Sequence, residues 1–122
     1  MADGSGRKRR RWRGVMGFLR PAVLFLLLRE NAHGYSLLEG LTEFGFNSEQ
    51  LDPSVIYRAL REMEEDGWVE SHLGEKSLGP QRRVYQILPE GQDRLSELID
   101  HLRRRQDEIS ILLQAYDQEV KK

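Results

Sequence analysis

A chain of 122 residues that is 39% hydrophobic and 32% charged, with a mean hydropathy of −0.63, has room for one domain with or without an extension and carries enough apolar residues to fold. It has no cysteine, which excludes a disulfide framework and a thiolate zinc site and fits a reducing, cytoplasmic setting. The formal net charge of −1 conceals an asymmetry: the first twenty residues hold seven basic residues against one acid, and the remainder hold 12 against 19, a pattern suited to touching a polyanion with one end.

In chain order, residues 1–18 read as a flexible basic arm: Arg7, Lys8, Arg9, Arg10, Arg11 and Arg13, flanked by Gly4, Gly6 and Gly14, bury nothing. The apolar run behind this cationic front has the outline of an export signal, but Arg20 and Pro21 interrupt it and "RENAHG" supplies no small-residue cleavage site. The unbroken stretch Ala22–Leu28 is too short to span a bilayer, so no membrane partner is expected. Leu19 to Asn31 instead predicts a first helix, apolar nearly all round and central to the core.

"HGYSLLEGLTEFG" predicts a second helix, with Gly34 and Ser36 as turn and cap signals, Leu37, Leu38 and Leu41 on its buried side, and Gly45 as its stop. Asp52 before Pro53 supplies an N-cap and a first-turn proline for a third helix that Gly67 ends. Its residues Ile56, Ala59, Leu60 and Met63 recur at three and four and mark a core face. Beyond Gly67 the period becomes two: "WVESHL" and "RRVYQIL" predict strands flanking the glycine-containing loop "GEKSLGPQ".

The last predicted element runs from Pro89 to about Glu119, about 45 Å at 1.5 Å per residue. Leu95, Leu102, Ile109 and Tyr116 stand seven apart, with Leu98 and Leu112 at the intervening heptad position. So small a body cannot cover such a length, which implies a second copy of the chain and hence a homodimer. Arg105 falls at a heptad position and predicts a polar or open contact there.

These elements make a mainly α protein with a minor β component: a winged helix-turn-helix, residues 19–88, with a two-stranded wing and a long carboxy-terminal dimerisation helix, residues 89–122. Three blocks resemble the PadR family of bacterial transcriptional regulators in their order and spacing. "HGYSLLEGL" is similar to its HGY-x-L opening, "PSVIYRALREMEEDGWVES" to its Y-x-AL-x-x-LE-x-x-G segment ending in x-S, and "GPQRRVYQILPEGQDRL" to its wing and following helix start. The resemblance spans roughly Leu19 to Leu95. It implies a DNA-binding regulator of the short, single-helix subgroup, typically a dimeric repressor that releases DNA on binding an inducer. Leu88 stands where the family usually has threonine, so the last helix should lack a side-chain N-cap.

In a helix-turn-helix the amino-terminal end of the second helix enters the major groove. Ser54, Tyr57, Arg58 and Arg61 form a stripe opposite the apolar one: either arginine suits guanine O6 and N7, while Ser54 and Tyr57 suit phosphate. The competing reading is a solvated helix face. Lys76, Arg82 and Arg83 give the wing phosphate or minor-groove contacts, although Arg83 could instead pair with a body carboxylate. The basic arm suits a minor groove or serves as a solubility tail. Trp68 and Tyr116 are candidates for an apolar effector pocket, or are simply core.

His33, His72 and His101 are too scattered for a metal site, His33 suiting a cap in its turn, and no catalytic constellation or cofactor is expected. The expected partners are therefore double-stranded DNA, a second copy of the chain and a small apolar effector. The alternative is a winged-helix module that docks another protein without DNA, which the acidic end of the third helix (Glu62, Glu64, Glu65, Asp66) favours.

Overall fold

The computed structural model describes residues 18–47, 51–74 and 82–122. Helix α1 is already formed at Phe18 and continues through residue 29. Strand β1, Ala32–His33, leads directly into α2, Gly34–Leu41, which tightens into a 3₁₀ turn, Thr42–Phe44. Helix α3, Pro53–Glu65, strands β2, Val69–Leu73, and β3, Arg83–Ile87, and helix α4, Pro89–Val120, complete the chain.

Local chemistry sets these boundaries. Asp52 accepts from the Ser54 N–H at 3.0 Å and Pro53 opens α3, where a proline sacrifices no helical hydrogen bond. Gly45 and Gly67 have φ of 84° and 81°, the left-handed conformation that side chains disfavour and that terminates a helix. His33 caps α2 by accepting from the Ser36 N–H at 3.4 Å through Nδ1. Leu88 has the extended backbone of an N-cap but makes no side-chain capping bond to α4. Its own N–H instead donates to the Trp68 carbonyl at 2.9 Å.

The core gathers Leu19, Val23, Leu24 and Leu27 of α1 against Leu37 and Leu41 of α2 and the full apolar stripe of α3. At about 25 cal/mol per Å² of apolar surface removed from water, burial of this side-chain set is the main force holding the helices together. Helix α4 joins this core only at its start, through Gly91 and Leu95, with Leu98 and Ile99 half-buried. A Cβ on Gly91 would collide with the Trp68 carbonyl and lie 2.9 Å from Ile87 Cγ1, so only glycine lets α4 cross the strands this closely.

The sheet is antiparallel in the order β1-β3-β2, with Val69 opposite Ile87, Ser71 opposite Tyr85 and Leu73 opposite Arg83. It has three strands where two were expected. The third, β1, pairs Ala32 with Tyr85 and His33 with Val84, filling the free edge of β3. Its two residues are too few to show an alternating pattern.

Candidate nucleic-acid interface

Because Ile56, Ala59, Leu60 and Met63 are buried, the helical period turns Ser54, Tyr57, Arg58 and Arg61 outward, and all four are exposed. Tyr57 and Arg58 are held differently. The Tyr57 ring lies across the start of α2: a Cβ placed on Gly34 would stand 2.6 Å from its Cε1 and Cζ and 2.7 Å from its hydroxyl. The ring is 38% exposed, so one part packs and the rest meets solvent. Arg58 is open, its Nε 3.5 Å from Glu62, whose carboxylate also takes a 2.6 Å bond from Arg20 of α1.

Two of the four acids at the far end of α3 thus face inward partners. Glu62 binds Arg20, and Glu64 accepts from Ser71 of β2, from its N–H at 3.0 Å and its hydroxyl at 2.9 Å. The Ser71 N–H points away from β3 at an open sheet edge, and the Glu64 carboxylate supplies the partner that a neighbouring strand would otherwise provide.

The wing root carries two of the three predicted cations. Arg82 stacks its guanidinium over the Tyr35 ring of α2 at 5.5 Å. Arg83 donates to the Ser71 hydroxyl at 3.2 Å rather than to a body carboxylate directly. Lys76 lies outside the described residues, as do Arg7, Lys8, Arg9, Arg10, Arg11 and Arg13 of the arm.

Tyr85 marks where these elements converge. It is 6% exposed on β3, and burial pushes its hydroxyl above the ordinary 10.0. The Glu64 charge adds to the rise and Tyr57 contributes in the same direction, while Arg83 and Arg61 oppose it. Direct contacts link the same elements: Tyr57 of α3 packs on Gly34 and Arg82 of the wing root stacks on the neighbouring Tyr35, so the stripe of α3 and the root of the wing both meet the start of α2.

Trp68 is half-buried against the core, with the guanidinium of Arg20 over its ring at 5.8 Å and that of Arg94 at 5.4 Å. Tyr116 is 25 residues beyond Gly91 on α4, about 37 Å along the axis, so no pocket within one chain holds both aromatics. The described clefts lie elsewhere. One of about 680 Å³ runs along Ile99, Leu102, Ile109 and Leu113, with Arg103 and Arg105 on its rim, and a smaller one of about 260 Å³ includes Phe25, Phe44 and Phe46. Phe18, Ile99 and Leu102 line both.

From residue 103 onward every residue of α4 is exposed, including Ile109, Leu112 (69%), Leu113 and Tyr116 (64%). Leu95 is buried and Leu98 and Leu102 are half-buried, so the heptad stripe starts on the domain and continues off it. Among the described residues no helix is long and apolar enough to cross a membrane, and no three His, Asp or Glu side chains are grouped to hold a metal.

Sequence blocks that looked like motifs now have physical roles. In "HGY", His33 caps α2, Gly34 admits Tyr57 and Tyr35 supports Arg82. Glu64 and Ser71, read in sequence as an acidic surface residue and an unremarked strand residue, form the α3–β2 link. The blocks contained both positions, but no periodicity marks a bond between a helix end and a strand edge seven residues on.

Comparison with known proteins agrees with this arrangement. A protein of known structure from Thermoplasma acidophilum is 30% identical, with 83% of this chain and 95% of that one covered at a TM-score of 0.71. A PadR-like transcriptional regulator from Bacillus cereus is 29% identical, covering 82% and 95% at 0.70. Bacillus subtilis PadR, solved in complex with operator DNA, shares the fold at 22% identity and a TM-score of 0.58, over 66% of this chain and 46% of that longer one. Residues 23–97 match the transcriptional regulator PadR-like family, a family of regulators rather than enzymes, and the chain belongs to it.

Proposed function

We propose that this chain is a homodimeric, sequence-specific DNA-binding repressor that acts in the cytoplasm and responds to a small apolar molecule. The carrying observation is that Tyr57 of the exposed α3 stripe and Arg82 of the wing root pack on adjacent residues at the start of α2, Gly34 and Tyr35. Residues 19–88 bind the duplex, with Arg58 and Arg61 reading base edges and Ser54 and Tyr57 on phosphate. Lys76, Arg82 and Arg83 contact the backbone beside the groove, and the basic segment Arg7–Arg13 adds salt-sensitive affinity.

Residues 89–122 join the two copies. The exposed stripe of Ile109, Leu112 and Tyr116, continuing that of Leu95, Leu98 and Leu102, supports this reading, because water-exposed leucines at heptad spacing gain from a second helix. A two-fold dimer sets its recognition helices on half-sites about one helical turn apart. The effector is assigned to the apolar clefts beside α4 in preference to Trp68 and Tyr116, since the clefts are open and Trp68 is stacked with two arginines. A Bacillus subtilis relative of the same fold in complex with operator DNA lends the DNA reading weight. Docking of a protein partner on the acidic end of α3 is less favoured, because Glu62 and Glu64 are engaged with Arg20 and Ser71.

Selection of bound duplexes from a random-sequence pool tests the proposal. The expected product is a palindrome with half-sites about one turn apart. Enrichment of no sequence, or of one without two-fold symmetry, overturns it.

A further inference from the structure

Arg83 reaches out at the wing root, and its orientation has a cause inside the domain. We infer that Ser71, held by Glu64, is a positioning residue that aims the Arg83 guanidinium at the DNA backbone; this rests on the DNA-binding reading above.

The geometry begins with the strand register. Leu73 faces Arg83 and Ser71 faces Tyr85, so Ser71 and Arg83 are diagonal neighbours on the face of the hairpin that includes buried Val69 and Tyr85. That face changes from apolar at Val69 and Ile87 to polar at Ser71 and exposed at Arg83. A free arginine there would sample many rotamers, each costing entropy to fix when a phosphate arrives.

Ser71 reduces that freedom. Its N–H donates to Glu64 Oε2 at 3.0 Å, and its hydroxyl lies 2.9 Å and 3.1 Å from the two carboxylate oxygens. A serine hydroxyl has one hydrogen, and the carboxylate takes it. What remains toward Arg83 is an oxygen lone pair, made a better acceptor by donating to an anion, and Arg83 Nη1 donates to it at 3.2 Å. That bond uses one of the five guanidinium N–H groups and leaves four for phosphate. Glu64 thus orients a cation without neutralising it by direct contact. A direct Glu–Arg pair in this place would compete with phosphate.

Arg82 is supported from the other side by the Tyr35 ring at 5.5 Å. Both described wing cations are therefore steered by neutral groups, a hydroxyl and an aromatic face.

A double-mutant cycle on the full chain, using a duplex selected by the wild-type protein, tests the inference. Ser71→Ala keeps the backbone bond to Glu64 and removes only the hydroxyl. It should weaken binding about two- to tenfold, the scale of one net hydrogen bond. Arg83→Gln should weaken binding and reduce the slope of log K against log salt by about 0.9, one phosphate contact. In the Arg83→Gln background, Ser71→Ala should change affinity by less than about twofold. Ser71→Thr, which restores a hydroxyl, should recover most of the loss.

Additive losses in the cycle, or no effect of Arg83→Gln, overturn the positioning role and leave DNA binding by the chain intact. Salt-indifferent binding by the wild-type protein overturns both.

Discussion

The Tyr57 ring lies against Gly34, a contact across 23 positions of sequence that joins the exposed face of α3 to the first residue of α2. Gly34 has no positive φ, so its backbone alone would accept alanine, and a Gly→Ala change at a compatible site ordinarily stabilises by about 0.4–1 kcal/mol. What opposes alanine is the ring, which would have to shift to admit it.

Gly34→Ala should therefore destabilise the wild-type chain by about 1–3 kcal/mol, the usual cost of overpacking. In a Tyr57→Ala background the same change should be neutral or stabilising. Urea denaturation of the four chains measures both effects, and the change of sign is the signature of the contact.

Tyr85 gives the fold an alkaline limit. The unfolded chain ionises this tyrosine near the ordinary 10.0, whereas the folded chain, through burial and the Glu64 charge, holds its proton to higher pH. The folded state binds that proton more tightly, so the associated stability is complete below about pH 10 and is lost as pH rises through the folded value. Unfolding free energy measured above pH 10 should fall less steeply in Tyr85→Phe than in wild type, the difference reaching at most about 1.4 kcal/mol per pH unit. Parallel curves would show that Tyr85 sets no alkaline limit.

The carboxy-terminal half of α4 offers a test that spares the rest of the fold. Ile109 and Leu112 lie outside the hydrophobic core and are 53% and 69% exposed. Replacing both with glutamate should leave the domain folded and abolish association, since each lost aliphatic burial is worth about 1.5–3 kcal/mol and a two-fold interface counts every change twice. Sedimentation equilibrium should show a wild-type dimer and a variant monomer with near-native circular dichroism. A wild-type monomer would refute the dimer.

Much of this was legible in the residues. Asp52–Pro53, Gly45 and Gly67 marked helix ends because their chemistry is local, and the apolar stripe of α3 and the heptads of α4 marked faces because helical period is local too. Leu88 lacks its cap, as its side chain implied. Contacts between elements leave no such local mark. Strand β1 has two residues, the Gly34–Tyr57 packing crosses two helices, and Glu62 and Glu64 have the pattern of surface charge although Arg20 and Ser71 stand opposite them. Arg83 was read as either a DNA contact or a partner of a carboxylate, and it reaches Glu64 only through a serine.

Whether α3 presents its outward stripe to DNA is decided by titrating the selected duplex at several salt concentrations with wild-type protein and Arg58→Ala. Arg58 is 74% exposed and its pairing with Glu62 is a surface contact worth little, so its removal leaves the fold intact. Wild-type affinity should fall linearly in log K against log salt, and the variant should bind more weakly by about 1–3 kcal/mol at every salt concentration. Affinity indifferent to salt, with Arg58→Ala binding as tightly as wild type, would contradict that role for α3.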